Sequence, residues 1–459
     1  MYKIDFNQPC HVHFIGIGGI SMSGLAEILL EEHFTVSGSD NKETALTEHL
    51  AQNGATVFYG QKASNSIAGI DVVVYTAAIH EDNEEFREAK RQNLPLLSRA
   101  ELLGQLMTNY DTSVAVSGTH GKTTTTSMLS HIFLAGELDP TISVGGILKA
   151  IGGNIRVGNS ELFITEACEY TNSFLHFFPK IGIILNVDAD HLDFFKDIDD
   201  IRHSFRRFAQ LLPEDGTLVI NGDIEKLAYI TEGLACRVIT FGKEASLDYS
   251  ASNITYDEKG NASFDVMKCG KPAGHITLSV GGEHNVYNAL SAIAVSDLLG
   301  IPSETVQAGL LSFHGTDRRF EYKGEVNGIT IIDDYAHHPT EIEATLKTAA
   351  HYPHKELWCI FQPHTYTRTK ALFPEFAAAL SHADHVILAD IYAARETDTL
   401  GISSSQLADA VREHGCDAIY LPDFQEIENY VTSHCKKGDL LITMGAGDVV
   451  NIGEDLLNA

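Results

Sequence analysis

The stretch Ser113-Val114-Ala115-Val116-Ser117-Gly118-Thr119-His120-Gly121-Lys122-Thr123-Thr124 constrains this chain more than any other. A short apolar run enters a glycine loop that ends in Gly-Lys-Thr. Met128, Leu129, Ile132 and Phe133 then follow with helical spacing. Strand, loop and helix in that order make a phosphate-binding loop, in which backbone N–H groups and the helix N-terminus receive anionic oxygens. Lys122 adds a mobile positive charge, and the Thr123 hydroxyl can reach a bound magnesium ion. Two residues separate the glycines where the usual pattern has four. The bland alternative is a serine- and threonine-rich helix cap.

The chain has 459 residues, more than one ordinary domain, so two to four are expected. Asp and Glu outnumber Lys and Arg 62 to 32, for a net charge of −30, and no basic patch or tail stands out. That argues against a nucleic-acid partner. It also means that an anionic substrate must be held by local Lys, Arg and N–H groups. The seven cysteines are dispersed, with no metal or redox spacing, which fits reduced thiols in a cytoplasmic protein. The N-terminus lacks a signal pattern, and no apolar run is long enough to span a bilayer, so no membrane association is expected.

Strand and helix signals alternate in three sections. In the first, His11 to Ile15 reads as a strand running into Gly16-Ile17-Gly18-Gly19 and a helix through Leu25, Ile28 and Leu29. A second strand reaches Gly38-Ser39-Asp40, and a third, Asp71 to Tyr75, ends at Thr76-Ala77-Ala78. This is a nucleotide-binding βαβ pattern with Ser21 in place of the third glycine. Asp40 either contacts a ribose hydroxyl or is a turn residue. The second section starts near 107–111. It holds strands at 162–165 and 181–187, a β-meander over 248–280 and a helix from about Asn285 to Leu299. Past Gly315 the alternation restarts, and polar residues cluster after the strands at 329–332, 357–361, 386–388 and 440–443. The expected architecture is α/β: an N-terminal Rossmann-like domain over 1–108, a central phosphate-loop parallel sheet with a small meander over 109–315, and a C-terminal Rossmann-like domain over 316–459.

Several constellations could carry chemistry. Glu166 to Glu169 and Asp188 to Asp193 each follow a middle strand, so Thr123, Glu166 and His191 could converge on magnesium or manganese. Alternatively, Asp188, Asp190 and Asp193 form a helix cap and turn. Asn285 and Asn288 share one helical face and suit an adenine edge or ribose, although an Asn N-cap explains one of them. Arg318-Arg319 could reach a γ-phosphate across a cleft or be a solvated hinge pair. Arg368 could pair with a carboxylate, and His337 occupies the matching loop of the preceding strand.

Taken together, Gly16 to Gly19 with Met22-Ser23-Gly24, Gly118 to Thr124, Asp190 to Asp193, His284 to Ala289, Arg318-Arg319-Phe320, Asp333 to Glu341 and Gln362-Pro363-His364 closely resemble the Mur ligases, the ATP-dependent amino-acid ligases of peptidoglycan synthesis. The resemblance covers nearly the whole chain. It implies an N-terminal domain for the UDP moiety, a central one for ATP and a C-terminal one for the amino acid. Carried over, Gly118, Thr119, His120, Gly121, Lys122, Thr123 and Thr124 hold ATP phosphates. Thr123, Glu166 and His191 hold Mg2+ or Mn2+, and His284, Asn285, Asn288 and Asp334 face the adenosine. Arg319 contacts the phosphates on closure, and His337 and Arg368 hold the amino-acid end. Gly16, Gly18, Gly19, Ser39, Asp40 and Thr76 are expected to hold the UDP-sugar.

Three departures from the family pattern matter. Cys168 replaces a nearby acid, and Thr365 stands where many relatives carry arginine. The 202–207 region lacks the lysine that other branches carry, which favours the alanine-adding branch. The expected substrates are therefore UDP-N-acetylmuramate and L-alanine, acted on by a monomer or homodimer. The branch that adds a whole tripeptide to the same sugar is the alternative. An NAD-dependent oxidoreductase and a non-catalytic nucleotide binder are further rivals. The phosphate loop argues against the first, and Lys122, Glu166 and His191 together argue against the second.

Overall fold

The computed structural model describes residues 2–65, 69–76, 78–394 and 396–458. Ala77, in the strand end noted above, lies outside the described residues. Three sheets run in succession along the chain. The first joins β1 (His11–Ile15), β2 (Thr35–Asp40), β3 (Thr56–Tyr59), β4 (Val72–Tyr75) and β5 (Leu96–Ser98). All are parallel in the order β3-β2-β1-β4-β5. The order reverses beside β1, so the glycine turn after β1 occupies the crevice where such sheets bind ligands.

The second sheet has ten strands: β6 (Thr112–Ser117), β7 (Thr141–Leu148), β8 (Gly153–Arg156), β9 (Leu162–Ala167), β10 (Ile181–Ile184), β11 (Thr217–Asn221), β12 (Arg237–Gly242), β13 (Tyr249–Tyr256), β14 (Asn261–Lys268) and β15 (Lys271–Gly281). Their order is β15-β14-β13-β12-β11-β10-β6-β9-β7-β8. The expected meander is an extension of this sheet, because β13 pairs in parallel with β12 before β14 and β15 turn back. The strand β6 lies between β10 and β9, which again puts the loop after it at a switch point. Being buried on both faces, β6 and β10 read as short continuous apolar runs.

The third sheet comprises β16 (Glu321–Val326), β17 (Ile329–Asp334), β18 (Leu357–Phe361), β19 (His385–Leu388), β20 (Asp417–Tyr420) and β21 (Leu440–Met444), in the order β16-β17-β21-β18-β19-β20. Only β16, at the edge, is antiparallel.

The first two sheets share one core. Leu102, Leu103 and Leu106, on the helix Arg99–Met107, belong to the same buried cluster as Phe163, Phe174 and Phe205. Full burial of each such side chain is worth about 1.5–3 kcal/mol. Contact is tight enough that a Cβ on Gly104 would overlap the His176 carbonyl. Two starts differ from the sequence expectation. The helix near 285 is Glu283–Leu298, capped by Gly282 and not by an asparagine. The helix after Asp193 is Ile198–Ala209, and its cap is Asp197, whose carboxylate accepts from the Asp199 and Asp200 N–H groups. Asp188, Asp190 and Asp193 are therefore free of capping work.

Candidate active site

The phosphate loop connects β6 to the helix Lys122–Ala135. Gly121 caps that helix at φ +83°, a left-handed conformation that glycine adopts without Cβ strain. A Cβ there would stand 2.7 Å from Asn288 Oδ1, so the helix bearing Asn288 packs directly on the loop. Asn186, just beyond β10, pins the opposite side. Its Oδ1 accepts from the His120 N–H at 2.8 Å, and its Nδ2 donates to the His120 carbonyl at 3.0 Å. Lys122 Nζ donates to the Gly118 and Thr119 carbonyls at 2.5 and 2.9 Å and to Glu169 Oε2 at 3.0 Å. Burial opposes the lysine charge, but the Glu169 carboxylate outweighs it and holds the ammonium above the ordinary lysine value.

Glu166 ends β9 one strand away. Its Oε2 accepts from Thr123 Oγ1 at 3.0 Å and its Oε1 from the Gly145 N–H at 2.5 Å. Burial raises the Glu166 carboxyl, and those two bonds only partly offset it. His191 adopts a positive φ of 54°, uncommon for a non-glycine residue and a recurrent sign of a functional position. Its ring stacks on Tyr170 at 4.5 Å, and Nε2 lies 3.8 Å from Glu169 Oε1. Thr123 and Glu166 are thus in contact, while His191 and Lys122 both approach Glu169. Glu169 is buried, with Oε1 lacking a hydrogen-bond partner.

Among the described residues, no group of three or more His, Cys, Asp or Glu could hold a metal ion alone. A hydroxyl, a carboxylate and an imidazole nonetheless suit magnesium or manganese, since magnesium keeps waters and takes substrate phosphates instead of a full protein cage.

A cavity of about 890 Å³ opens between the second and third sheets. His120, Gly121, Thr124, His284, Asn285 and Asn288 line one wall, and Arg319, Asp334 and Glu341 line the other. Asn288 Nδ2 donates to Asn285 Oδ1 at 3.0 Å, and Asn285 Nδ2 donates to the Gly281 carbonyl at 2.6 Å, which orients both amides. Burial, with Arg319 nearby, lowers His284 to about 4, so the ring is neutral at pH 7. Asp334 is pushed up to about 6 by burial, against the pull of Arg319 and of the Ala336 and Phe320 N–H groups that its oxygens accept. The arginine pair divides its work. Arg318 is tied to Asp333 and to the Gly445 and Gly447 carbonyls. Arg319 lies over the Tyr335 ring and 3.7 Å from Glu341.

Among the described residues, several contacts cross between these two domains, including Lys149 Nζ to Asp317 Oδ1 at 3.0 Å. His120 Nδ1 lies 3.2 Å from Glu341 Oε1, His338 Nε2 donates to the Ala189 carbonyl at 3.1 Å, and Arg368 Nε donates to Asp190 Oδ1 at 3.1 Å. His120 also lies 3.3 Å from Asp188, and although burial opposes its charge the two carboxylates raise it to about 9. Burial works against the Asp190 charge as well, but Arg368 keeps that carboxyl well below the usual range. His337 donates from Nδ1 to the Tyr335 carbonyl at 3.0 Å, which leaves Nε2 as an acceptor. Burial lowers it to about 4.

In the N-terminal sheet, the Ser39 carbonyl accepts from the Gly16 and Ile17 N–H groups at 2.8 and 2.9 Å, and Asp40 Oδ2 accepts from the Gly18 N–H at 2.9 Å. Thr76 packs on the same turn, 2.9 Å from where a Gly16 Cβ would sit. Gly19 caps the helix Ile20–Glu31, whose first turn faces this crevice. Ser39 meets this turn through its carbonyl and not through its side chain. Its side chain is fully buried and donates inward to Glu85 at 2.5 Å.

The sequence reading passed over Asn186, Glu341 and the pairing role of Glu169. Asn186 follows an apolar strand beside a phosphate loop, and Glu341 closes the Asp333–Glu341 string, so their positions were the only available signals.

A phosphate loop, a cleft beside it and a second nucleotide-type turn define a three-domain, nucleotide-using enzyme architecture. Family models tile it. The Mur ligase family catalytic domain matches residues 11–111, the Mur ligase middle domain 116–296, and the Mur ligase glutamate ligase domain 318–447. The chain belongs to the Mur ligase family. UDP-N-acetylmuramate–L-alanine ligase of Agathobacter rectalis is 62% identical over 457 residues, covering 100% of both chains. Among solved structures, UDP-N-acetylmuramate-alanine ligase MurC from Thermotoga maritima aligns with a TM-score of 0.79 at 29% identity, covering 98% of each chain. The murein peptide ligase from Psychrobacter arcticus aligns at 0.68 and 26%, also covering 98% of each.

Proposed function

We propose that this chain joins L-alanine to the lactyl carboxylate of UDP-N-acetylmuramate, converting ATP to ADP and phosphate. The observation that carries this reading is the 62% identity, over the full length, to a ligase of that name. A lactyl carboxylate oxygen attacks the γ-phosphorus, the bond to ADP breaks, and an acyl phosphate forms. The amine of L-alanine then attacks the acyl carbon, phosphate leaves, and the amine loses a proton. The first step brings two anions together, so positive charge and N–H donors dominate catalysis. Lys122 and the amides of the loop hold the phosphates, and Arg319 approaches them from the other side of the cleft. His284, Asn285, Asn288 and Asp334 form the adenosine wall.

Thr123, Glu166 and His191 would hold the divalent cation, which supplies charge neutralisation at the phosphates when bound. An α-amino group has a pKa of about 8, so a useful fraction is neutral at pH 7 without a strong base. His337, neutral in its buried position, and Arg368 are suited to hold the amino-acid end, Arg368 by pairing with its carboxylate. Closure of the cleft excludes water from the acyl phosphate. The UDP-sugar enters at the Gly16–Gly19 turn of a domain covering 1–108, with ATP handled by 109–315 and the amino acid by 316–459. No described helix is long and apolar enough to cross a membrane, and a cytoplasmic setting fits the substrates.

Phosphate release from ATP with UDP-N-acetylmuramate tests the reading, comparing L-alanine, glycine, L-serine and the tripeptide. Release at the lowest concentration with L-alanine is expected. Release with the tripeptide alone would reassign the chain to the recycling branch.

A further inference from the structure

Beneath the N-terminal glycine turn runs a buried polar chain that the ligation chemistry does not use. His13 and Glu85 are fully buried, and so in effect are Ser37 and Ser39. The parallel register sets His13 beside Ser37 and Ile15 beside Ser39, on the face where the helix Glu84–Arg91 packs. Ser39 Oγ donates to Glu85 Oε2 at 2.5 Å, and His13 Nε2 donates to Glu85 Oε1 at 2.7 Å. His13 Nδ1 lies 2.7 Å from Ser37 Oγ, Ser37 Oγ lies 2.7 Å from His11 Nε2, and His11 Nδ1 ends on the Gly69 carbonyl at 3.2 Å.

Proton counting restricts where the hydrogens of this chain sit. A carboxylate and a carbonyl only accept, so His13 Nε2 and His11 Nδ1 must both carry hydrogens. Ser37 has one proton for the two bonds it shares with the imidazoles. The other bond needs a hydrogen from one of the rings. Burial lowers the basicity of His11, and His13 touches the Glu85 carboxyl group directly.

A buried histidine–carboxyl contact is weak evidence for stability, because apolar residues of similar volume often serve as well. What this pair supplies is orientation. It clamps the Ser39 side chain, while the Ser39 carbonyl holds the Gly16 and Ile17 N–H groups and the next residue, Asp40, holds that of Gly18. We propose that His13 and Glu85 are positioning residues for the UDP-sugar site, setting the glycine turn through Ser39. This rests on the reading that the sugar nucleotide binds the N-terminal domain.

The test is calorimetric binding of UDP-N-acetylmuramate, with KM for each substrate, in the wild type, Glu85→Ala and Glu85→Gln, alongside the melting temperature of each. Glu85→Ala is expected to weaken sugar-nucleotide binding and raise its KM about tenfold, with the ATP KM within about twofold. Glu85→Gln, whose amide can accept from Ser39 and donate to a neutral His13, should recover most of that loss. Should Glu85→Ala fail to fold, Ser39→Ala serves, since it cuts only the bond between the pair and the turn. A lower melting temperature with unchanged sugar-nucleotide affinity overturns the inference, as does an equal rise in both KM values. Absence of UDP-N-acetylmuramate binding in a wild type that still binds ATP overturns the underlying reading instead.

Discussion

Lys122 is anchored by two carbonyls of its own loop and by Glu169, so its ammonium is aimed before any phosphate arrives. Lys122→Ala removes the main positive charge opposing the repulsion of two anions. Ligation should fall by roughly a thousandfold or more, with calorimetric binding of UDP-N-acetylmuramate preserved within about twofold. Equal loss of both would sink the assignment of the two nucleotides to separate domains. His120 makes a different kind of prediction. Folding raises it from an ordinary 6.5 to about 9, through Asp188 and Glu341 acting against burial. The folded state keeps a proton that the unfolded chain releases near pH 6.5. The contribution is therefore complete below that pH and is lost as pH rises through about 9. It amounts to at most about 3.5 kcal/mol, since each tenfold gain in proton affinity on folding is worth about 1.4 kcal/mol. The wild-type melting temperature should fall more steeply between pH 6.5 and 9 than that of His120→Asn. Parallel curves would show that this pairing contributes nothing to folding.

At the scale of elements, the most exacting joint is between the start of the helix Lys122–Ala135 and the helix Glu283–Leu298. Gly121→Ala forces a side chain into a left-handed residue, at a cost of about 1–2 kcal/mol, and drives its Cβ to 2.7 Å from Asn288 Oδ1. The ATP KM is expected to rise about tenfold while the UDP-N-acetylmuramate KM holds; an unchanged ATP KM would mean that the joint yields freely. This element was legible in the sequence because an apolar strand, a glycine pair and a 3.6-residue spacing coincide over 113–133. Other elements gave no such coincidence. The hairpin of β7 and β8 is interrupted by Gly145 and Gly146, and the edge strand β16, Glu-Tyr-Lys-Gly-Glu-Val, is mostly polar because one of its sides faces no partner strand. Strand ends also ran further than expected, since Glu166 and Asp334 are inside β9 and β17 and not beyond them. Their side chains belong to the site, but their backbones are paired in the sheet. The site residues missed by spacing, Asn186 and Glu341, act through contacts between segments 66 and 221 residues apart, which no local pattern encodes.

For the whole molecule, the question is what keeps the second and third domains together over the cleft. Among the described residues the crossing contacts include a histidine–carboxylate pair, an arginine–carboxylate pair, one bond to a carbonyl and the more exposed Lys149–Asp317 pair. Two of the acidic partners, Glu341 and Asp190, are largely buried, and breaking a buried pair by removing one partner costs about 3–5 kcal/mol. Moving a two-state equilibrium from 99:1 closed to 99:1 open takes about 5.5 kcal/mol. Starting from 99:1, one lost pair should therefore open more than half of the population, and two should invert it fully. Small-angle scattering of the free protein is expected to give a larger radius of gyration for Glu341→Gln and a still larger one for Glu341→Gln combined with Arg368→Ala. Added ATP should restore compactness in the double variant in part, because Arg319 and the loop N–H groups still meet across the phosphates. Identical scattering from the wild type and the double variant would place the closing energy in the apolar packing around the cleft, and Glu341 and Arg368 would then matter only to the chemistry performed inside it.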